Sequence, residues 1–317
     1  MKKQVLLLSI TATLAACTQS GSNVNFHKTD LKLLSPTGAP AVALAGYANK
    51  LETASDPQSG LMPMFATNDY DIIVAPTHGG LNKIKAGANY LIAATVTLGN
   101  FYLLSTGRDE DEILNEGDKV MYFQPSDVPG KVFNYLYGDK GLELYAVDAA
   151  NKTAPVINAG GVYKVDETTT VNLDYIFTAE PVVTSTNSVS KIYESGRDAF
   201  NIRSGGKQIM QASIFVNKNA DHDKVDEFLA NVENDMKSGL KSPNLLKNFV
   251  SKLGSKNEQA QKIGFTADVV YNATKNNNNG LGLGFRKAKD AKQDIEDFVN
   301  LLTNNTYGEL SEEVIYQ

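Results

Sequence analysis

The sequence predicts an α/β protein made of two units, each a mostly parallel sheet flanked by helices. Three observations carry that reading. From residue 31 onward, short apolar runs alternate with helical stretches, the pattern of strand–helix–strand units. Four times, at 35–40, 76–80, 125–130 and 180–181, a strand ends in a loop of Ser, Thr, Pro, Gly or Glu that opens a helix. The pattern also restarts after Ser105. About 290 residues follow the leader and tether, more than one small core fills.

Each element has a local reason. The run 31–35 (LKLLS) is a strand, and 36–40 (PTGAP) turns into an alanine-rich helix at 41–51. The run 71–75 (DIIVA) is a second buried strand, followed by the loop 76–80 (PTHGG) and a short helix at 81–87. Strands follow at 90–96 (YLIAATV) and 101–105 (FYLLS). In the second unit, 119–124 is a strand, 125–130 a loop, 131–137 a helix, and 142–147 and 175–179 are strands. Glu180-Pro181 leads into a helix through Val182, and 208–216 is a further strand. Over 223–240, Val225, Phe228, Leu229, Val232 and Met236 recur at helical spacing, and Gly239 and Pro243 end the stretch. The remainder reads as helical, closing at 291–302 with the stripe Ile295, Phe298, Val299 and Leu302.

The N-terminus carries a separate signal. Lys2 and Lys3 precede an apolar run over 5–16 that ends Leu14-Ala15-Ala16-Cys17, and Cys17 is the only cysteine of 317 residues. The run is shorter than the roughly 20 residues of a spanning helix. The arrangement resembles a bacterial lipoprotein signal. That resemblance implies a signal peptide at 1–16, lipid on the sulfur of Cys17, and a tether over 17–27. The protein would then sit on the extracytoplasmic face of a bacterial cell membrane, held firmly only if two or more acyl chains are attached. No disulfide framework is available, so the core must hold unaided.

Composition narrows the function classes. The chain is 42% hydrophobic and 21% charged, with no tryptophan and a formal charge of −6. An acidic balance disfavours nucleic acid and anionic surfaces. It permits a small anionic ligand held by local dipoles. The four strand–loop–helix corners offer such dipoles, because free N–H groups at helix starts favour anions and polar acceptors. Ligands in open α/β sheets sit beyond the carboxyl ends of the strands. The candidate contacts are therefore Ser35, Thr37, Gly38 and Ala39 in the first corner, and Thr77, His78, Gly79 and Gly80 in the second. Asn100 and Tyr102 stand near the end of the first unit, and Ser126 and Glu180 in the corners of the second. For Glu180 two readings stay open: a carboxylate facing a ligand, or a helix-start acid that complements the dipole. His27 and His222 read as surface residues. The three histidines lack coordinating spacing, so no metal site is expected. The run Asp109-Glu110-Asp111-Glu112 reads as a solvated helix start. The run 280–284 (GLGLG) lacks the context of a phosphate loop.

Taken together, 35–40 (SPTGAP), 71–80 (DIIVAPTHGG), 90–105, 175–181 (YIFTAEP) and Gly284-Phe285-Arg286 resemble a substrate-binding protein of an ABC importer. The resemblance is to the group that includes nitrate, sulfonate, taurine and thiamine-precursor binders, and it covers nearly the whole chain from residue 31. It implies a two-lobed periplasmic-binding-protein-like fold, with lobe one at 28–104 and 212–317 and lobe two at 105–211. Crossing strands near 102–105 and 212–216 would act as hinges. It implies a monomeric receptor without cofactor or catalysis, which passes a small polar or anionic molecule to a membrane permease. Pyrimidine binders of the group would use aromatic residues and carboxylates, here Tyr102, Tyr122, Phe123 and Glu180. A surface adhesin or structural lipoprotein is the alternative, and an enzyme on the same fold a more distant one.

Overall fold

The computed structural model describes residues 24–106, 114–122, 127–146, 162–164, 170–180, 182–186, 191–276 and 279–317. In chain order, β1 (Leu33–Pro36), α1 (Ala39–Ala43), β2 (Leu51–Ala54), α2 (Pro57–Gly60), α3 (Met64–Thr67), β3 (Ile72–Pro76), α4 (Thr77–Lys85) and β4 (Tyr90–Thr97) come first. Next come β5 (Phe101–Ser105), β6 (Lys119–Tyr122), α5 (Val128–Tyr137), β7 (Glu143–Ala146), β8 (Val162–Lys164), β9 (Thr170–Asn172), β10 (Tyr175–Ala179), α6 (Val182–Thr186), β11 (Lys191–Ser195) and α7 (Gly196–Arg203). The chain closes with β12 (Ala212–Asn217), α8 (His222–Lys241), α9 (Pro243–Ser251), α10 (Lys256–Ile263), α11 (Ala267–Lys275), β13 (Leu283–Lys287) and α12 (Lys292–Leu302).

The strands form two principal sheets, ordered β13-β4-β12-β3-β1-β2 and β11-β5-β10-β6-β7, plus the hairpin β8-β9. In the first sheet β1, β2, β3 and β4 run one way, while β12 and β13 run against them. In the second, β6, β7, β10 and β11 agree and β5 alone is reversed. Strand direction is therefore mostly parallel in both, and the reversed strands β5 and β12 adjoin the places where the chain changes sheet. β5 lies wholly in the second sheet, so the first crossing falls at 98–100, ahead of the expected boundary at 104. β12 lies wholly in the first sheet, so the return crossing precedes it, at 204–211.

Burial explains why the apolar runs became strands. β1, β5 and β12 are buried along their full length, as strands covered on both faces must be. One core cluster joins α1, α8, α9 and α11 to the first sheet. A second spans both sheets: Ile73, Tyr90 and Phe215 from the first join Phe101, Val120 and Phe177 from the second, with Phe200, Met210 and Phe298 between them. α12 contributes Ile295, Phe298, Val299 and Leu302 to this cluster and contacts α4 and α5. The C-terminal helix thus bridges the two lobes.

Several local expectations fail for nonlocal reasons. The helix expected over 41–51 breaks at Ala43, passes through a 3-10 turn at Ala45–Tyr47, and gives way to β2, which pairs with β1. Gly46 sits in that break because a side chain there would stand 2.0 Å from the Asp235 carboxylate. The loop expected at 76–80 is the first turn of α4. Gly239 lies inside α8, and Pro243 opens α9. Part of the segment expected to be a loose tether is packed on the fold. Val24 is buried, Phe26 packs on Phe249, and His27 is no loose surface residue: its ring bonds Asp235 at 2.8 Å and lies against Tyr47. β2, β11 and β13 were missed because each mixes charged residues with few apolar ones.

Candidate functional site

Strand direction brings the corners together. The carboxyl ends of β1, β3 and β4 share one edge of the first sheet, and those of β6, β10 and β11 share one edge of the second. The crossings at 98–100 and 204–211 tie these two edges to each other. The helix starts of α4 and α5 come from different sheets and meet in electrostatic reach: burial first, and then the Lys131 charge, lower the His78 pKa from 6.5 to about 4. Lys131, in the first turns of α5, is itself lowered by burial, with Asp127 pulling it back up. The His78 Nε2 pairs with Asn82 Nδ2 at 2.9 Å one turn along.

His78 should therefore be a pH-sensitive element. In the unfolded chain the imidazole takes its proton near pH 6.5, and in the fold near pH 4. Between those values the unfolded state binds more protons, so stability rises with pH there. Stability is expected to be complete above about pH 6.5 and to decline as pH falls toward about 4. His78→Gln should flatten that part of a urea-denaturation profile. An unchanged slope would remove His78 as its source.

The first corner is arranged differently from the expectation that its N–H groups stand free. Thr37 N–H donates to the Ala54 carbonyl at 3.0 Å, and Gly38 N–H to that of Ile263 at 2.7 Å. Gly38 has φ +97°. Ser35 is fully buried, and its hydroxyl donates to the Pro36 carbonyl at 2.9 Å. Ala39 is buried in the first turn of α1.

In the second corner Thr77 N–H donates to the Gln211 carbonyl at 3.0 Å, and its hydroxyl pairs with Ser213 Oγ at 2.7 Å. Ser213 Oγ also lies 2.9 Å from Thr95 Oγ1, so three hydroxyls join β4, β12 and α4 inside the sheet. Thr77 is thus structural at both polar groups. Gly80 is a packing residue as well: a Cβ there would stand 2.2 Å from the Phe215 ring. Gly79 rests against Met62. Of this corner His78 is the residue that addresses the other lobe.

Tyr102 is buried, its hydroxyl donates to the Gly280 carbonyl at 3.3 Å, and its pKa is raised to about 12, by burial above all. Glu180 accepts from Thr184 N–H and Thr184 Oγ1, both at 3.0 Å, so its carboxylate serves the start of α6. Tyr122 packs on Phe133 at a centroid distance of 4.7 Å. Phe123, Ser126, Cys17 and the 109–112 acids lie outside the described residues. No cluster of metal-ligating residues occurs among the described residues, and no helix among them is long and apolar enough to cross a membrane.

Two features escaped the sequence. Thr97 Oγ1, Asn100 Oδ1 and Gln211 Oε1 are buried without a hydrogen-bond partner among the described residues. All three lie in or beside the crossings: Thr97 ends β4, Gln211 N–H donates to its carbonyl at 2.9 Å, and Asn100 follows three residues on. An unmatched buried polar group costs about 1–3 kcal/mol. The other is Arg197. It stands in a fifth strand–helix corner, between β11 and α7, and donates to the Asn279 carbonyl at 3.4 Å. Its corner was invisible because β11 (KIYES) is a half-exposed edge strand with no apolar run.

The fold places the chain among known architectures. An ABC transporter protein from Parabacteroides distasonis superposes with a TM-score of 0.66 at 13% identity, covering 92% of this chain and 99% of that one. The periplasmic aliphatic sulphonate binding protein SsuA from Escherichia coli gives 0.59 at 12% identity, covering 91% and 93%. A Candida albicans protein with the generic periplasmic binding protein structural fold gives 0.52 at 12% identity, covering 90% and 93%. No protein-family model matches the sequence, and no curated protein sequence matches it. The chain therefore has the two-lobed periplasmic-binding-protein fold, recognisable in three dimensions at identities where the sequences have diverged.

Proposed function

We propose that the protein is the extracytoplasmic, lipid-anchored solute-binding component of an ABC importer. It captures a small polar or anionic molecule by hinge closure and delivers it to a permease, making and breaking no bond and using no cofactor. The observation that carries this reading is that the corners after β1, β3 and β4 share one edge of the first sheet and those after β6, β10 and β11 one edge of the second, with the Lys131 charge of α5 felt at His78 of α4. Helix starts facing each other across a seam hold a polar solute from both sides. The buried oxygens of Thr97, Asn100 and Gln211 support it, because a solute with hydrogen-bond donors would match them. The resemblance of 71–80 and 175–181 to ABC-importer receptors points the same way, as does the likeness to solved transport proteins. In this reading 28–104 with 212–317 form one lobe and 105–211 the other, with the first boundary drawn back to the crossing at 98–100. The receptor works as a monomer.

Mass spectrometry of the molecule retained by gently purified protein tests the reading directly. Tight binding of a small molecule without turnover is the expected result. An adhesin would retain none, and an enzyme would convert it. Solution scattering with that molecule at saturation should show a smaller radius of gyration; an unchanged radius with ligand bound would remove the clamp. The anchor has its own test. Cys17→Ser should release the protein from membranes or leave it uncleaved, and a variant still processed and lipid-labelled would overturn the assignment.

A further inference from the structure

We propose that the layer formed by the end of α8, α9 and α10 docks on the headgroups of anionic phospholipids, so that the protein lies against its membrane on this side. The chain's formal charge of −6 is spread unevenly. Residues 236–267 hold six lysines, Lys237, Lys241, Lys247, Lys252, Lys256 and Lys262, against one acid, Glu258. Clusters of about four to eight cations next to a membrane attract anionic headgroups.

The neighbouring charges leave the layer positive. The elements packed on it add Lys50 and Lys275, and the acids Glu52, Glu233, Asp235 and Asp268. Each of these acids is engaged. Asp268 holds Lys247 at 2.9 Å and Lys256 at 3.5 Å. Glu233 holds Lys237 at 2.6 Å, and Asp235 holds His27 at 2.8 Å. Glu52 accepts from the Tyr70 hydroxyl at 2.7 Å. Glu258 accepts from Ser255 N–H at 2.6 Å in the capping box of α10. Asp223, Asp226 and Glu227 stand toward the other end of the 20-residue α8. Among the described residues Lys241, Lys252 and Lys262 make no ion pair. Leu240, 37% exposed, precedes Lys241 and offers an apolar side chain that a lipid interface would cover.

The entry of the N-terminal segment selects the side. Val24 is buried, Asn25 Oδ1 accepts from Lys252 Nζ at 3.2 Å, and Phe26 stacks on Phe249 of α9 with centroids 6.2 Å apart. A lipid on Cys17 would stand seven residues before Val24, a reach of about 25 Å at most. A compact chain of about 290 residues is on the order of 50 Å across. The side opposite Val24 would therefore stay clear of the bilayer, while Lys252 stands where the tether meets the fold. This orientation rests on the anchor reading; the charge of the layer does not.

The full chain carrying Cys17→Ser, which lacks the acylated thiol, is co-sedimented with vesicles of mixed phosphatidylglycerol and phosphatidylcholine, and with vesicles of phosphatidylcholine alone. Binding to the anionic vesicles is expected to exceed binding to the neutral ones by about tenfold or more, and to fall as salt is raised. Replacing Lys241, Lys252 and Lys262 together by Gln should remove most of that excess, at about fivefold per lysine. Replacing Lys140, Lys218 and Lys289, three exposed lysines on other segments, removes the same charge and should leave the excess in place. The leader is common to every variant, so the differences report the layer. Equal binding to both vesicle types, a lysine triple on the layer that binds as the parent does, or equal losses in the two triples would overturn the proposal. Failure here with Cys17 shown to be lipid-labelled removes the docking face alone. Anionic binding with Cys17 unlabelled removes the anchor alone.

Discussion

Phe298→Ala is expected to destabilise the protein by about 3–5 kcal/mol, the usual cost of emptying a buried phenylalanine site. The ring is fully buried in the cluster that spans both sheets, 5.9 Å from the Phe200 ring of α7. The cavity cannot collapse easily, because α12 rests on α4 and α5 together. The loss should be read as a lower urea midpoint. Ile202→Ala is the control: at 79% exposure it should shift stability by no more than about 0.5 kcal/mol. A Phe298→Ala midpoint equal to that of the control would show that α12 does not hold the lobes together. The same geometry bears on motion. Under the proposed hinge closure, the shared core that α12 completes would serve as the pivot.

Gly282→Ala is expected to be nearly as damaging, through the backbone. Gly282 has φ +61°, and a Cβ there would stand 2.1 Å from the Gly99 carbonyl oxygen. Its own carbonyl accepts from Leu98 N–H at 2.6 Å, so β13 is stitched directly to the first crossing. Left-handed backbone costs an alanine about 1–2 kcal/mol, and overpacking against unyielding atoms adds about 1–3. Gly87→Ala separates the two contributions. Its φ is +96° with nothing within 4 Å of the added carbon, so it should show the strain alone. Equal losses in the two variants would mean that the crossing yields freely. A larger loss at Gly282, with weakened retention of the co-purified molecule, would mark the crossing as a rigid pivot.

Expectation and structure part at identifiable places. The runs behind β3, β5 and β10 were legible because a buried strand between covered faces needs an unbroken apolar stretch. α8 and α12 were legible because their apolar residues recur at the helical period. Thr77-His78-Gly79-Gly80 misled, since threonine and glycine are poor helix formers. α4 nevertheless starts there, because Gly80 admits the Phe215 ring and Thr77 bonds Ser213, a partner 136 positions away. The candidate site suffered in the same way. The corners at 35–40 and 76–80 were found from their composition. That Thr37, Gly38 and Thr77 would spend their N–H groups on Ala54, Ile263 and Gln211 depends on segments remote in sequence.

By itself, then, the sequence determined the α/β class, the buried central strands and the two long amphipathic helices. Each rests on burial or period within a window of a dozen residues, where local apolar pattern decides. Only the tertiary structure decided which corners meet, which polar groups are already engaged, and where the chain changes sheets. It brought the Lys131 charge of α5 within reach of His78, left three oxygens unmatched among the described residues near the crossings, and turned Arg197 toward Asn279. Those outcomes follow from contacts between residues far apart in the chain, set by sheet order and the shared core, and no local window contains them.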